Sequence, residues 1–247
     1  MEDLIYDKNN SFGNDINIRF ARNRIKKTQK ILRGIIKNNK IKNCLDIGTG
    51  TGYFLDFIKK LSPSIECFGI DISAKAIAIA RNNYNDINFS QEEIASFAKN
   101  GKKFDLILSL ENIEHIYNLD EYLAIVSKLL NKNGILLVST PNLNSYLNRF
   151  LILFGMIPRF QEYFLFDNVP IFSIGGRDFP SNPPPPSGHI RILNCTVLDY
   201  IAKKFKFKII ARYGAGLFGH KKILGSIDLF FSFFPHLANC LIYVYKK

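Results

Sequence analysis

The stretch LDIGTGTG, residues 45–52, is a glycine-rich loop that joins a predicted strand at 44–47 to a predicted helix at 53–61. Glycine allows the backbone to turn sharply and to approach a ligand closely, where a Cβ atom would collide. On its own such a loop is weak evidence, because structural turns and dinucleotide-binding enzymes use similar sequences. The residues around the loop are therefore needed to indicate its ligand.

Two acidic residues make the loop more specific. Asp46 stands two residues before the first glycine, where a carboxylate would repel a pyrophosphate but attract the cationic amino-acid end of S-adenosylmethionine. Asp71 ends the next predicted strand, where a carboxylate can accept hydrogen bonds from both ribose hydroxyls. Each acid alone is also explained as a helix cap, but the combination of both acids with the glycines favours a cofactor site.

Outside the loop, short apolar segments alternate with helical ones, which is typical of βαβ units and a parallel sheet. Strands are predicted at 67–71, 87–90, 104–110, 134–140, 206–212 and 239–245, and helices at 73–82, 119–131, 195–204 and 222–234. A basic amphipathic helix is predicted at 19–42, ahead of the first strand. This order predicts a doubly wound α/β fold.

Four segments, in order and at ordinary spacing, resemble the class I S-adenosylmethionine-dependent methyltransferases. They are LDIGTGTG (45–52), FGIDIS (68–73), FDLILSLENIEHI (104–116) and LLNKNGILLVSTPN (129–142). The later GHIRILN and FFPHLANCLIYVYKK segments are similar to the small-molecule branch of that family. The resemblance implies a Rossmann-like fold with a mainly parallel, seven-stranded sheet, a terminal antiparallel strand and a lid insertion.

The resemblance also implies which residues bind S-adenosylmethionine. Asp46, Gly48, Gly50 and Gly52 would surround the methionine moiety, Asp71 would hold the ribose, Ile72 would pack on the adenine, Glu93 would face the adenine amine, and Leu110 and Glu111 would lie near the transferable methyl.

An E-x-x-E-H cluster follows the fourth strand. A helix there would place Glu111, Glu114 and His115 on one face, and carboxylates with an imidazole can bind a divalent ion such as Mg²⁺. The arrangement is similar to that of ubiquinone-pathway O-methyltransferases, in which the resemblance implies a metal that holds substrate oxygens, and His189 is the candidate fourth ligand. Alternatively the acids cap the helix and His115 packs under the loop. His115 and His189 are also the candidate bases for the acceptor hydroxyl.

The chain carries 33 Lys and Arg against 21 Asp and Glu, a net charge of +12, which favours anionic partners without selecting one. Residues 19–42 contain ten cations and no acid. Three interpretations fit this concentration of positive charge: a face of the helix that is exposed to solvent, contact with anionic lipid, and RNA binding. Because Phe20 is its sole aromatic residue, the sequence argues against a nucleic-acid partner.

We predict a basic helical lead-in at 1–42 and a methyltransferase domain at 43–247, in which 143–187 is a substrate-cover insertion. The insertion is rich in aromatic residues: Tyr146, Phe150, Phe154, Phe160, Tyr163, Phe164, Phe166, Phe172 and Phe179. They would line a cover for an organic acceptor or pack as an ordinary core. If exposed, they and the FFSFF run at 230–234 could contact a membrane and admit a lipid-linked acceptor.

The four cysteines are widely spaced, which argues against disulfides and a thiolate zinc site. The amino terminus lacks the pattern of a signal peptide, and the apolar stretches are too short to span a membrane. We therefore expect a cytoplasmic protein, with peripheral membrane contact as an option.

The sequence favours methyl transfer from S-adenosylmethionine to an oxygen of a small-molecule or lipid-linked acceptor. A nicotinamide-dependent oxidoreductase is disfavoured by Asp46 before the loop and by the lack of an obvious Tyr-x-x-x-Lys pair. A catalytically silent module that binds the cofactor and a partner protein remains an alternative.

Overall fold

A computed structural model describes residues 15–164, 169–174, 176–181, 186–218 and 222–247. Its helices are α1 (Asp15–Asn38), α2 (Tyr53–Leu61), α3 (Ala74–Asn83), α4 (Ile94–Phe97), α5 (Leu119–Leu129), α6 (Tyr146–Leu153), α7 (Cys195–Lys204) and α8 (Lys222–Ser232). Its strands are β1 (Asn43–Ile47), β2 (Glu66–Asp71), β3 (Asn88–Gln91), β4 (Phe104–Leu110), β5 (Leu130–Pro141), β6 (Phe172–Ile174), β7 (Arg177–Phe179), β8 (Lys208–Ala215) and β9 (Cys240–Lys246).

Seven strands form one sheet in the order β3-β2-β1-β4-β5-β9-β8. The pairs from β3 to β5 are parallel, whereas β9 runs antiparallel to both of its neighbours. The predicted doubly wound, mainly parallel sheet with a terminal antiparallel strand is therefore confirmed. The carboxyl ends of β1, β2, β4 and β5 meet at one edge, which is where open α/β sheets bind their ligands.

The sheet is buried on both faces. The β4 side chains alternate between two apolar clusters, with Ile107 in one and Leu106 and Leu108 in the other. Helices α5 and α7 cover the first face and α1, α2 and α3 the second. Burial on both faces explains why the central strand β4 is a nearly continuous apolar run.

Helix α1 is part of this core. Its residues Ile31, Leu32 and Ile35 are buried in the same cluster as Leu55 and Ile58 of α2. The cations of α1 lie on other faces of the helix, and Arg22, Lys26 and Lys30 are exposed. The basic lead-in thus packs against the remaining domain through its apolar side.

Three of the predicted helices begin where a polar side chain caps them. Ser73, Asn118 and Asn194 each accept a hydrogen bond from the backbone N–H three residues later, at the starts of α3, α5 and α7. Residues 111–118 form a turn and a loop, so the E-x-x-E-H cluster does not lie on a helix and its spacing does not place the three side chains on one helical face. Glu111 has φ +52°, which is incompatible with a helix, and α5 starts only at Leu119.

The predicted insertion contains α6 and a small antiparallel hairpin of β6 and β7. Phe166 lies outside the described residues. Among the helices that the model describes, none combines the length and the apolar character needed to cross a membrane.

Candidate functional site

A cavity of about 420 Å³ opens at the carboxyl edge of the sheet. Its walls come from the glycine loop, the end of β2, the start of α4, the loop before α5 and the segment 187–190. The predicted site residues Gly48, Asp71, Ile72, Glu93 and His115 line it. The volume is within the range of small-ligand and cofactor pockets.

The three glycines of the loop have left-handed backbone conformations, with φ +74° at Gly48, +55° at Gly50 and +84° at Gly52. Gly48 lies against Asn112, because an added Cβ would meet the Asn112 amide oxygen at 2.7 Å. Gly52 instead faces the ring of Phe89 at 2.6 Å. Gly48 therefore permits close packing of the loop on Asn112 at the cavity wall, whereas Gly52 permits close packing of the loop on β3.

Asp71 connects the glycine loop to α3. One carboxylate oxygen accepts the N–H of Gly50 at 2.8 Å and the other accepts the N–H of Ser73 at 2.9 Å. The side chain is buried and still contributes to the cavity wall. This position at the end of β2 is the one that the sequence predicted for a ribose-binding acid.

Asp46 is almost fully buried beneath the loop. Its carboxylate accepts a hydrogen bond from the Thr49 hydroxyl at 3.2 Å. Burial raises the pKa of Asp46 to about 7, the Thr49 hydrogen bond lowers it and the nearby Asp71 raises it further. A cationic ligand group beside Asp46 would favour its ionised form.

Ile72, Glu92, Glu93 and Ile94 also line the cavity. Glu92 is engaged by the Ser90 hydroxyl, whereas the side chain of Glu93 makes no capping bond to α4. This geometry separates two adjacent acids that the sequence could not distinguish, and it favours Glu93 for contact with a ligand.

Glu111 lies just beyond β4 but belongs to a different network. Its Oε1 accepts a hydrogen bond from the Ser139 hydroxyl at 2.8 Å, and its Oε2 lies 3.4 Å from Nε of Arg24. The Cys240 thiol also donates to Oε1 at 3.4 Å, and burial raises the pKa of that thiol. Leu110, before it, is 8% exposed in the core.

Glu114, His115 and His189 form a cluster, called here the Glu114–His115–His189 cluster. One potential ligand atom of each lies within 4.8 Å of the others. Both Glu114 carboxylate oxygens are buried without a hydrogen-bond partner among the described residues. Burial, followed by the charge of Glu111, raises the pKa of Glu114 well above its ordinary value. Three of the four predicted metal ligands thus come together, and Glu111 is not among them.

The His115 imidazole is oriented by the backbone. Its Nδ1 lies 3.0 Å from the carbonyl oxygen of Gly188, so Nδ1 donates and Nε2 carries the lone pair. Burial and the neighbouring His189 lower the pKa of His115 to about 4. His115 is therefore neutral at pH 7.

Sequence reasoning missed Arg24, Asn112 and Glu162. Arg24 reaches Glu111 from α1, Asn112 backs the glycine loop, and Glu162 contacts the backbone beside His189. Glu162 and Arg24 lie 27 and 87 residues from their partners His189 and Glu111, so no local pattern indicates them. Asn112 could have been identified from the sequence, because it directly follows Glu111 in the segment after β4 that is predicted to lie at the site.

A family model described as a methyltransferase domain matches residues 19–210. Among curated proteins, the chain is similar to the ubiquinone biosynthesis O-methyltransferase of Pelagibacter ubique (strain HTCC1062), with 38% identity over 141 residues, 54% of this chain and 56% of that protein. It is 32% identical over 102 residues to the corresponding protein of Chelativorans sp. (strain BNC1), 40% of each chain. The chain thus spans about half the length of the curated relatives it matches.

Solved structures share the fold. The N-methyltransferase NodS from Bradyrhizobium japonicum WM9, in complex with S-adenosyl-L-homocysteine, is similar with a TM-score of 0.59 and 15% identity, over 98% of each chain. The plantazolicin methyltransferase BpumL, in complex with a desmethylPZN analog and SAH, is similar with a TM-score of 0.57 and 18% identity, over 94% of this chain and 88% of that one. At these identities the likeness shows the fold.

Proposed function

Since the chain belongs to the methyltransferase domain family, we propose that it transfers a methyl group from S-adenosylmethionine to an oxygen of a small-molecule acceptor. The observation that carries the proposal is that Gly48 of the glycine loop and Asp71 at the end of β2 line the same cavity, while Asp46 is buried beneath the loop and accepts a hydrogen bond from Thr49. The similarity to ubiquinone biosynthesis O-methyltransferases supports oxygen as the accepting atom.

Methyl transfer is a direct displacement at a sulfonium carbon, so the protein chiefly has to align the reactants and exclude water. Asp71 would bind the ribose hydroxyls and Ile72 would pack on the adenine. Asp46 lies beneath the loop, where its negative form would attract the ammonium group. Ser187, Gly188 and Ile190 form part of the cavity wall and would shield the methyl group from water.

The acceptor hydroxyl would lose its proton to a neutral imidazole. His115 and His189 have ring centroids 4.9 Å apart, close to the buried Glu114. With a pKa of about 4, His115 is a weak base, so we assign the proton transfer to His189 and the orientation of the site to His115.

We extend the proposal to a divalent metal. A buried carboxylate without a hydrogen-bond partner, beside two imidazoles, is a suitable donor set for a cation, and imidazole ligands fit a transition-metal ion better than Mg²⁺. Glu114, His115 and His189 would hold the ion, while Glu111 stays paired with Arg24. An ion bound there would occupy the lone pair of His189, so His189 would serve as the base only in the metal-free site. When bound, such an ion would supply positive charge that holds acceptor oxygens and eases loss of the hydroxyl proton.

We also propose that the acceptor is lipid-linked and that segment 143–187 covers it. To reach such an acceptor, the protein would contact the cytoplasmic membrane surface peripherally. Supporting this, α6 and α8 are joined by stacked Tyr146 and Phe231 rings. Leu153 of α6, Phe230 of α8 and Phe233, which follows α8 directly, are exposed, with exposed fractions of 79%, 59% and 72%. Exposed apolar patches of this kind mark interaction surfaces.

Calorimetric titration with S-adenosylmethionine tests the function. We expect the wild type to bind S-adenosylmethionine and Asp71→Ala to bind it at least tenfold more weakly. A tenfold loss of affinity corresponds to about 1.4 kcal/mol of binding free energy, and the loss of two hydrogen bonds to the ribose exceeds that value. Asp120→Ala, which removes an exposed acid paired with Lys204, is the control and should bind S-adenosylmethionine normally.

A parallel titration with Mn²⁺ tests the metal site. The wild type should bind Mn²⁺, and Glu114→Gln should abolish this binding.

Absence of S-adenosylmethionine binding by the folded wild type would overturn the proposal. Retention of a nicotinamide cofactor instead would restore the oxidoreductase alternative. Cofactor binding without methyl transfer to any hydroxylated acceptor would favour the catalytically silent module.

A further inference from the structure

Glu162 is a buried acid in the insertion whose carboxylate is surrounded by backbone donors. Its oxygens accept the N–H groups of Ser187 at 2.7 Å, Gly188 at 2.8 Å and His189 at 2.9 Å. The Glu162 side chain is only 8% exposed. In the part of the chain that the structure describes, no Lys or Arg side chain forms an ion pair with it.

Successive backbone N–H groups that converge on one anion form an anion-binding concavity. Gly188, at φ +87°, provides the left-handed conformation that this concavity requires. Here the anion belongs to the protein itself, so Glu162 fixes the conformation of residues 187–189 from the outer side. On the inner side the same segment is fixed by His115, which donates to the Gly188 carbonyl.

The arrangement also determines which nitrogen of His189 carries a proton. Nδ1 lies 3.3 Å from the carbonyl oxygen of Phe160 and 3.5 Å from Oε1 of Glu162. Both neighbours are acceptors, so the proton resides on Nδ1 and the lone pair on Nε2. Nε2 is then the nitrogen that can accept a proton or bind a cation.

We propose that Glu162 is a positioning residue for the methyltransferase site: it holds the segment 187–189 in place and keeps His189 in the tautomer whose Nε2 lone pair serves the Glu114–His115–His189 cluster. The inference rests on the proposed function for its catalytic meaning. Its structural content, the tautomer and the anchored segment, is measurable without turnover. A carboxylate that orients a histidine in this way is a common second partner of functional imidazoles.

The test is Glu162→Gln, which keeps the side-chain shape but replaces one acceptor oxygen with a donor NH₂ group. That group must face at least one backbone N–H or the His189 Nδ1–H, so donors oppose each other. We expect hydrogen exchange at the amides of 187–189 to accelerate about tenfold or more, consistent with the loss of about 1.4 kcal/mol of local stability.

The specific readout is the His189 tautomer, measured by long-range ¹H–¹⁵N spectra of histidine-labelled protein. The chain has four histidines, so the His189 signals are identified by their loss in His189→Gln. We expect the Nδ1–H tautomer in the wild type and a substantial Nε2–H population in Glu162→Gln. Asp178→Asn, an exposed acid of the same insertion that accepts from Ser173, should leave both readouts unchanged.

An unchanged tautomer and unchanged exchange in a folded Glu162→Gln protein would overturn the proposal. If that variant does not fold, Glu162→Asp, which keeps the charge on a shorter side chain, should give the same changes at smaller amplitude. Titration of the same wild-type sample with S-adenosylmethionine separates the two claims. Its failure would remove the methyltransferase function, whereas the tautomer result alone decides whether Glu162 positions His189.

Discussion

At the scale of single residues, the site contains acids that the protein keeps in very different environments. Asp71 is tied to two backbone N–H groups, Glu111 faces Arg24 and Glu114 has no hydrogen-bond partner among the described residues. Asp46 is the most informative of them for a test in solution, because its carboxylate is buried under the loop that would receive a cationic ligand. Its burial disfavours the ionised form and raises its pKa.

The raised pKa of Asp46 therefore predicts that the free energy of unfolding depends on pH. Its pKa is about 7 when folded and about 3.8 when unfolded, so the folded state binds more protons between these values. The free energy of unfolding of the ligand-free protein should fall as the pH rises through this window, by at most about 4 kcal/mol at about 1.4 kcal/mol per unit.

Asp46→Asn should remove this dependence. Urea denaturation at pH 4 and pH 8 should show a stability gain for the variant at pH 8 only, while its affinity for S-adenosylmethionine falls. Asp120→Asn should follow the wild type in both measurements. An equal effect of Asp46→Asn at both pH values would show that the Asp46 carboxyl is not desolvated.

At the scale of elements, α1 shows how one helix serves both the core and the site. Leu32 and Ile35 are buried against the sheet, and Arg24, about two to three turns earlier, reaches Glu111 at the carboxyl end of β4. The apolar side of α1 packs on the domain. This packing positions the Arg24 guanidinium beside Glu111. The boundary predicted at residue 42 therefore separates segments that pack as one unit.

Two substitutions in α1 should change stability in opposite directions. Leu32→Ala should lower the free energy of unfolding by about 2–4 kcal/mol, because Leu32 is fully buried and its loss leaves a cavity. Gly34→Ala should raise it by about 0.5–1 kcal/mol, because an added Cβ meets nothing within 4 Å and alanine favours the helix.

Chemical denaturation with a single transition would check both values. If Leu32→Ala leaves the midpoint unchanged, α1 does not pack on the core in solution. If Gly34→Ala destabilises, the middle of α1 is not a solvated helix.

At the scale of the whole molecule, apolar and basic surfaces lie near the same edge as the cavity. In the chain, α6 follows β5 and α8 follows β8, and both helices expose apolar side chains. The ammonium group of Lys27 in α1 lies 5.4 Å from the centroid of the Tyr213 ring in β8. Aromatic side chains beside cations suit a membrane interface that contains anionic lipid. The charge of +12 strengthens that attraction at low salt.

This surface predicts salt-dependent binding to vesicles. The wild type should sediment with vesicles containing phosphatidylglycerol and should be released as salt increases, whereas the double variant Phe230→Ser and Phe233→Ser should stay in solution. Tyr200→Ser, which removes an exposed ring on α7, is the control and should bind normally. Equal sedimentation of all three proteins would contradict a role for α8.

The sequence by itself determined the order along the chain of the seven strands of the main sheet and, through the family resemblance, the mainly parallel type of that sheet. These features depend on local patterns: apolar periodicity sets strands and helices, capping residues such as Ser73 and Asn118 set their starts, and glycines mark the turn after β1. The family resemblance drawn from these segments is confirmed by the match over residues 19–210. Local interactions are encoded within a few residues, so they can be identified without the fold.

Only the tertiary structure decided how the polar side chains are grouped. On a helix, the spacing of Glu111, Glu114 and His115 would bring the three side chains to one face, but φ +52° at Glu111 turns the chain. The Glu111 carboxylate instead contacts Arg24 and Ser139. Likewise, Glu162 meets the backbone of His189 only because the insertion folds back onto the cavity. Such contacts join distant residues through long-range packing, which no local pattern of the sequence records.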